Sequence, residues 1–312
     1  MPVIELKLFE SALAGEASLA QFNDEVVVTQ PIDADLLPHL DVIFFSGEDG
    51  DLMNRLAIEA AEADVLTFVE GAVGLDAPVM IPGSRGLPAE ALAPGGLPAE
   101  ALAKAGLVIV PRMASYLVGV VLERASAALG SLHASATVLV PAAHRGAQGA
   151  DELHQQVVSL LSFKPLPMEV FNEQLAFNAN VAHAGAKAAA LAEAVAKEAS
   201  GLAGSGASVT VNLVQVPVFH AYCASMWIEL DAPVEPKTLA SAFREPPFTI
   251  DTARNARSPS PLSVAESSRI HVGGLRPSME ASRPGFWLWA VADTTAFDPA
   301  LAAVELAKAA LG

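Results

Sequence analysis

The chain has 312 residues, with 35 acidic against 18 basic side chains and a net charge of −17. That excess repels phosphate backbones, and the basic residues form no run that makes a local basic stripe, so no nucleic acid is expected as a partner. Apolar residues make up 52% of the chain but stay in short runs, below the roughly 18 consecutive residues a membrane span needs, so a soluble protein is expected.

Length alone favours two domains over one. Cys223 is the single cysteine, which rules out an internal disulfide framework and any cysteine-based metal site. Residues 1–7 carry no basic stretch leading into an apolar one, so no signal peptide is read there and a cytoplasmic location is expected.

In chain order, the apolar run 41–45 closes on Ser46-Gly47 and reads as a buried parallel strand entering a turn. Residues 51–63 place Leu52, Leu56 and Ala60 at helical spacing, and 65–69 return as a strand. This alternation is the pattern of a doubly wound α/β sheet. The segment 86–103 holds a short tandem copy of Gly-Leu-Pro-Ala-Glu-Ala-Leu-Ala, too brief for a solenoid and read as a surface loop. Residues 106–111 form a further strand and 116–129 the helix that leaves it.

Beyond residue 131 longer β-type segments take over, at 136–141, 208–218 and 224–230, with an Ala-rich helix at 184–199 that the Gly/Ser-rich stretch 201–206 should end. Asp151, Glu152 and Leu153, with Leu160 and Leu161, predict an amphipathic helix packed on that second sheet. A Pro/Ser-rich loop at 254–264, strands at 270–274 and 286–291 and a closing helix at 299–311 complete the order.

Several strings in this order resemble the aspartate-semialdehyde dehydrogenase family. Val216-Pro217-Val218-Phe219 resembles its VPVF segment, Phe286-Trp287-Leu288-Trp289-Ala290-Val291-Ala292-Asp293 its LxLWxVADN, and Gln174-Leu175-Ala176-Phe177-Asn178 its AFN. Residues 270–276 are similar to its VFVGRIR strand, and 301–311 to its C-terminal helix. The resemblance implies an incomplete Rossmann-type doubly wound domain at 1–131 and 293–312, and an α+β dimerisation domain with a mixed sheet at 132–292. A homodimer through the second domain is expected with it.

The same resemblance implies that the catalytic machinery is not intact. The family attacks its aldehyde with a thiolate in a Pro-Asn-Cys-Ser-Thr turn, where a helix N-terminus supports the anion. The matching stretch here is Pro111-Arg112-Met113-Ala114-Ser115, so Met113 holds the nucleophile's place, and a thioether has no proton to lose and forms no thiohemiacetal. The family's string VPVF-Arg-Gly-His becomes Phe219-His220-Ala221-Tyr222, which puts His220 at the substrate-clamp position and Tyr222 at the base position. Tyrosine titrates near 10 and serves poorly as a base at neutral pH. Ser115, Asn178 and Arg145 are candidate substrate-cleft residues, whereas Cys223 reads as a small buried strand residue.

The family's cofactor is NADP, cradled by a GxxGxxG turn that this sequence does not contain. Residues 3–9 resemble the strand that follows that unit, which would leave a gap in the middle of the sheet. Ser46 and Gly47 are the remaining cofactor-contact candidates, whereas Gly50, Gly71 and Gly74 are irregularly spaced turn residues. No tightly bound cofactor is expected. His133, His144, His154 and His183 lack metal-ligand spacing, so no metal is expected either. The reading is a non-catalytic, homodimeric binding or regulatory relative with a small acid as its candidate ligand; the alternative is an NADP-dependent oxidoreductase acting on an aldehyde, with altered catalytic residues or a start upstream of Met1.

Overall fold

A computed structural model describes residues 5–10, 19–22, 25–32, 34–46, 50–71, 75, 77, 106–181, 186–253, 256–278 and 283–311. The duplicated segment, Gly47, Gly74 and His183 lie outside them. The chain divides into two compact units, the first of residues 1–82, 88–110 and 302–312 and the second of residues 83–87 and 111–301. Among the described residues no helix is long and apolar enough to cross a membrane.

The first unit is built on three parallel strands, β5 (Val42–Phe45), β6 (Leu66–Glu70) and β7 (Leu107–Val110), in that order, with helix α1 (Gly50–Glu62) joining the first two. Before them come a two-stranded parallel ladder, β1 (Phe9–Glu10) with β4 (Gln30–Pro31), and a hairpin, β2 (Leu19–Phe22) with β3 (Glu25–Val28). The side-chain alternation of a strand sends β6 to both faces. Val69 joins Ile43, Phe45 and Ile109 against Leu56, Ala57 and Ala60 of α1, while Leu66 and Phe68 join Val108 and Val110 against Ala303, Leu306 and Ala307. Coverage of both faces explains why these strands are short and almost wholly apolar.

The second unit holds helices α2 (Met113–Leu129), α3 (Gly146–Leu161), α4 (Ala186–Ala203) and α5 (Pro236–Ala242), and α6 (Pro299–Leu311) starts within it. Among the described residues its sheet has seven strands: β8 (Leu132–Val140), β9 (Asn180–Val181), β10 (Ala207–Gln215), β11 (Tyr222–Glu229), β12 (Phe248–Ile250), β13 (Ile270–Ser278) and β14 (Gly285–Ala292). They lie in the order β12-β13-β14-β11-β8-β10-β9, with β8/β10 and β12/β13 parallel and the other pairs antiparallel. This is the mixed sheet expected.

One face of that sheet is closed. Leu132, Ala134, Ala136, Val138 and Val140, buried at every second position of β8, lie on it beside Ala224, Met226 and Ile228 of β11, and α2 packs across β8, β10, β11 and β14 with α4 beside it. The other face is half open, with Glu229 opposite His133 and Arg276 opposite Trp287 among uncharged side chains. There Ser135 Oγ meets Thr210 Oγ1 at 3.2 Å, His133 Nδ1 meets Ser208 Oγ at 2.6 Å, and the Trp227 and Trp287 rings sit 5.5 Å apart.

Three expectations about local structure change. Helix α2 starts at Met113 rather than at 116 and packs on α4 and the large sheet. Helix α4 runs on through Gly201 to Ala203, because Ala199, Leu202 and Ala203 are buried and their packing outweighs the glycine. Helix α3 turns its apolar stripe toward the segment that follows it: Leu153, Val157 and Leu160 pack with Phe171, Leu175 and Ala176. Its buried face also carries Glu152 and Gln156, which apolar periodicity does not reveal.

Candidate functional site

The candidate residues of the second unit fall on three pieces of chain. The first is the start of α2, where the strand ends at Val110 and Arg112 takes non-helical angles (φ −58°, ψ 147°) without a side-chain cap of its own. Met113 is the first helical residue and is buried. Ser115 is fully buried, and its hydroxyl donates to Glu198 Oε2 on α4 at 2.6 Å. Arg112 N donates to the same oxygen at 3.3 Å, and Arg112 Nη1 forms an ion pair with Glu198 Oε1.

What brings Glu198 there is the close approach of α2 and α4. A Cβ on Gly119 would stand 2.7 Å from Leu202 Cβ and 3.0 Å from Ala199 O, so only glycine allows this separation. Burial raises the Glu198 carboxyl, and the opposing pull of Arg112 and Ser115 does not cancel that effect. Sequence pattern does not single out Glu198; one of two glutamates in an Ala-rich helix, it gives no local sign of its partners.

The second piece joins two loops at one end of the sheet. Ala142 N donates to Val218 O at 2.7 Å and Ala143 N to Phe219 O at 2.9 Å, so residues 141–145 run beside the Val-Pro-Val-Phe segment. Gly149 keeps this turn tight, since a Cβ there would lie 2.3 Å from Ala142 O. Tyr222 is buried at the head of β11, and its hydroxyl lies 2.7 Å from Nδ1 of the exposed His144. His144, weighed from sequence only as a metal ligand, is thereby the partner of the base-position residue.

His220 is exposed, and the buried Asp293 carboxyl is held below the ordinary range. Desolvation pushes Asp293 the other way, but it is outweighed by hydrogen bonds from Thr295 N, Glu266 N and Thr295 Oγ1. Arg145 stands at the N-cap of α3, half-buried, and burial lowers its guanidinium. Cys223 follows Tyr222 into the sheet, and burial pushes its thiol up to about 12.

The third piece is the segment after α3. Glu152 accepts from Glu169 N, Val170 N and Phe171 N at 2.6–3.1 Å. Gln156 donates to Pro167 O and Glu173 O and accepts from Leu175 N and Ala176 N. These two side chains, one helical turn apart, hold an irregular stretch in one shape. Asn178 stands exposed at its end, with its amide turned to its own loop: Nδ2 donates to Gln174 O and Oδ1 accepts from Ala179 N.

In the first unit, Ser46 Oγ donates to Glu70 Oε2 at 2.6 Å, and Gly47 lies outside the described residues. Among the described residues no three His, Cys, Asp or Glu side chains gather as metal ligands would.

The family model described as semialdehyde dehydrogenase, dimerisation domain, matches residues 130–297. No curated protein matches the chain. Among solved structures the chain is similar to aspartate semialdehyde dehydrogenase II from Vibrio cholerae complexed with ASA, at 23% identity and a TM-score of 0.76, covering 98% of this chain and 90% of that one. It is similar also to a probable aspartate-semialdehyde dehydrogenase from Pseudomonas aeruginosa, at 21% identity and a TM-score of 0.75, over 98% and 89% of the two chains. A Candida albicans aspartate semialdehyde dehydrogenase with NADP matches at 14% identity and a TM-score of 0.62, over 92% and 82%. At these identities the likeness is one of fold.

Proposed function

The chain belongs to the semialdehyde dehydrogenase family, and from that premise we propose that it is a non-catalytic homodimer, a binding or regulatory relative that does not oxidise or reduce an aldehyde. The observation that carries this reading is Met113 as the first residue of α2, buried, in the place the resemblance gives to the thiolate. A methyl thioether has no acidic proton and cannot open a covalent route.

The neighbouring groups do not take over. The Ser115 hydroxyl is buried and committed to Glu198, whose other oxygen is taken by the Arg112 guanidinium, so the pair is held inside the helix end. The Cys223 thiol stays protonated at neutral pH. Tyr222 holds the base position, with its hydroxyl engaged by His144. The family cofactor finds little support as well: Ser46, a contact the resemblance assigns to NADP, is already bonded to the Glu70 carboxylate, which puts negative charge beside it.

Self-association is supported by the family's dimerisation domain and by the open sheet face, whose hydroxyls and tryptophans carry few charges in a chain of net charge −17. A face of low charge lets two such acidic copies meet. For the ligand we propose a small acid, met by the exposed His144 and His220 with Arg145 nearby in sequence.

The test is an assay of the purified protein with aspartate semialdehyde, phosphate and either nicotinamide cofactor. We expect no turnover above background, and none from Met113→Cys alone; steady turnover by the native chain overturns the reading. Light scattering should give the mass of a dimer at micromolar concentration, and a monomer would remove that part of it.

A further inference from the structure

We propose that the Glu198 carboxylate is a built-in anion that closes the N-terminal end of α2, so that this helix end takes no free carboxylate or phosphate. A helix N-terminus carries unpaired N–H groups and a partial positive charge, and it is satisfied by a capping side chain or by an anion from outside. Here the N-cap residue is Arg112, whose side chain makes no cap hydrogen bond. The residue three positions on, Ser115, is too short to carry the usual return contact by itself.

Glu198 completes the arrangement from another helix. In a capping box the side chain of the third helical residue bonds back to the N-cap N–H. In this chain one oxygen of Glu198 sits between those two groups, accepting from Ser115 Oγ at 2.6 Å and from Arg112 N at 3.3 Å, while its other oxygen pairs with the Arg112 guanidinium. Three donors from one short turn therefore converge on a single carboxylate whose side chain is only 9% exposed. Gly119 fixes α4 close enough for the reach.

The inference deepens the non-catalytic reading and takes its meaning from it: the end of the helix that would steady a thiolate or a bound acid already holds a carboxylate of the chain itself. A small acid bound to this protein then lies elsewhere, against His144, Arg145 and His220.

The experiment compares melting temperatures in sodium acetate and in sodium chloride at equal ionic strength. Glu198→Ala leaves a carboxylate-sized space beside Arg112 and Ser115, so it should melt lower than the native protein and recover as acetate rises, by mass action. Glu198→Gln, whose amide fills the space, should melt lower without responding to acetate, and the native protein should not distinguish the two salts. An alanine variant indifferent to acetate overturns the proposal.

Should that variant fail to fold, the native protein labelled with 15N-methionine decides. The Met113 amide signal, identified by its loss in Met113→Leu, should stay in place as phosphate or acetate is added, and a saturable shift overturns the proposal. Turnover in the assay above would remove the non-catalytic reading and leave this titration standing, so the two failures are distinguishable.

Discussion

The start of α2 and the loop pair at the head of β11 occupy the positions that the family resemblance gives to nucleophile and base, yet they are built in opposite ways. At α2 the polar groups are internal: Ser115 is fully buried, Glu198 nearly so, and an ion pair joins them to Arg112. At β11 the buried Tyr222 hydroxyl reaches outward to an exposed His144, with His220 exposed two residues before it. One end is part of the core, whereas the other faces solvent with titratable rings. The first should therefore govern stability and the second the binding of a ligand.

The largest effect that can break this contrast is Arg112→Met. It strands a buried carboxylate, and removing one partner of such a pair typically costs about 3–5 kcal/mol. We expect a loss toward the lower end, since Arg112 is itself only partly buried, read as a lowered urea midpoint at unchanged slope. A loss no larger than that of a surface ion pair would mean that the α2 end is not part of the core. Gly119→Val comes next. Its added atoms would meet Leu202 and Ala199 at under ordinary contact distance, and overpacking of this kind costs roughly 1–3 kcal/mol.

The Glu198 carboxyl sharpens the contrast through pH. Its folded pKa is raised above the ordinary carboxylate value, mainly by burial, so the folded state holds its proton more tightly than the unfolded state. Stability from this group should then fall as pH rises through the raised value, and the contribution is largest below the unfolded pKa. Asp293 has the opposite sign: its folded pKa is depressed, so its contribution is present above the unfolded value and lost as pH falls through the folded one. Glu198→Gln should flatten the upper limb alone and Asp293→Asn the acid limb alone, measured as unfolding free energy between about pH 3 and 7. An unchanged upper limb in Glu198→Gln would sink the assignment.

How much of this was legible from sequence follows the range of the interactions. The strands and α1 of the first unit were readable because each is a short apolar run or a stripe at helical spacing, and both are local patterns. Sequence pattern starts α2 three residues late because Arg112 is no cap by composition and the carboxylate that meets Ser115, Glu198, is 83 residues away from it. Helix α3 was aimed at the sheet because its apolar residues show period but not direction. The side chains that fix its direction, Glu152 and Gln156, are polar and buried, a combination read from sequence as surface. Likewise the Val-Pro-Val-Phe anchor points to Tyr222 through the resemblance alone, and its hydrogen-bond partner His144 lies 78 residues before it.

The smallest effect concerns that pair. A hydrogen bond between a buried phenol and an exposed imidazole contributes about 0.5–1.5 kcal/mol, so Tyr222→Phe and His144→Ala should each cost on the order of 1 kcal/mol, well under Arg112→Met. The two losses should not add: in the double variant the second substitution finds the bond already gone, and a coupling of about 0.5 kcal/mol or more is expected from the cycle. The signature in binding should be larger than in folding, because His144 is exposed and Tyr222 fixes how its ring points. Titration with a small dicarboxylate, followed by the ring proton signals of His144 and His220, should show saturable shifts in the native protein that weaken in Tyr222→Phe and persist in Arg112→Met where that variant folds. Shifts lost in Arg112→Met but kept in Tyr222→Phe would reverse the division between the two ends, and would return the ligand to the helix that Glu198 is proposed to close.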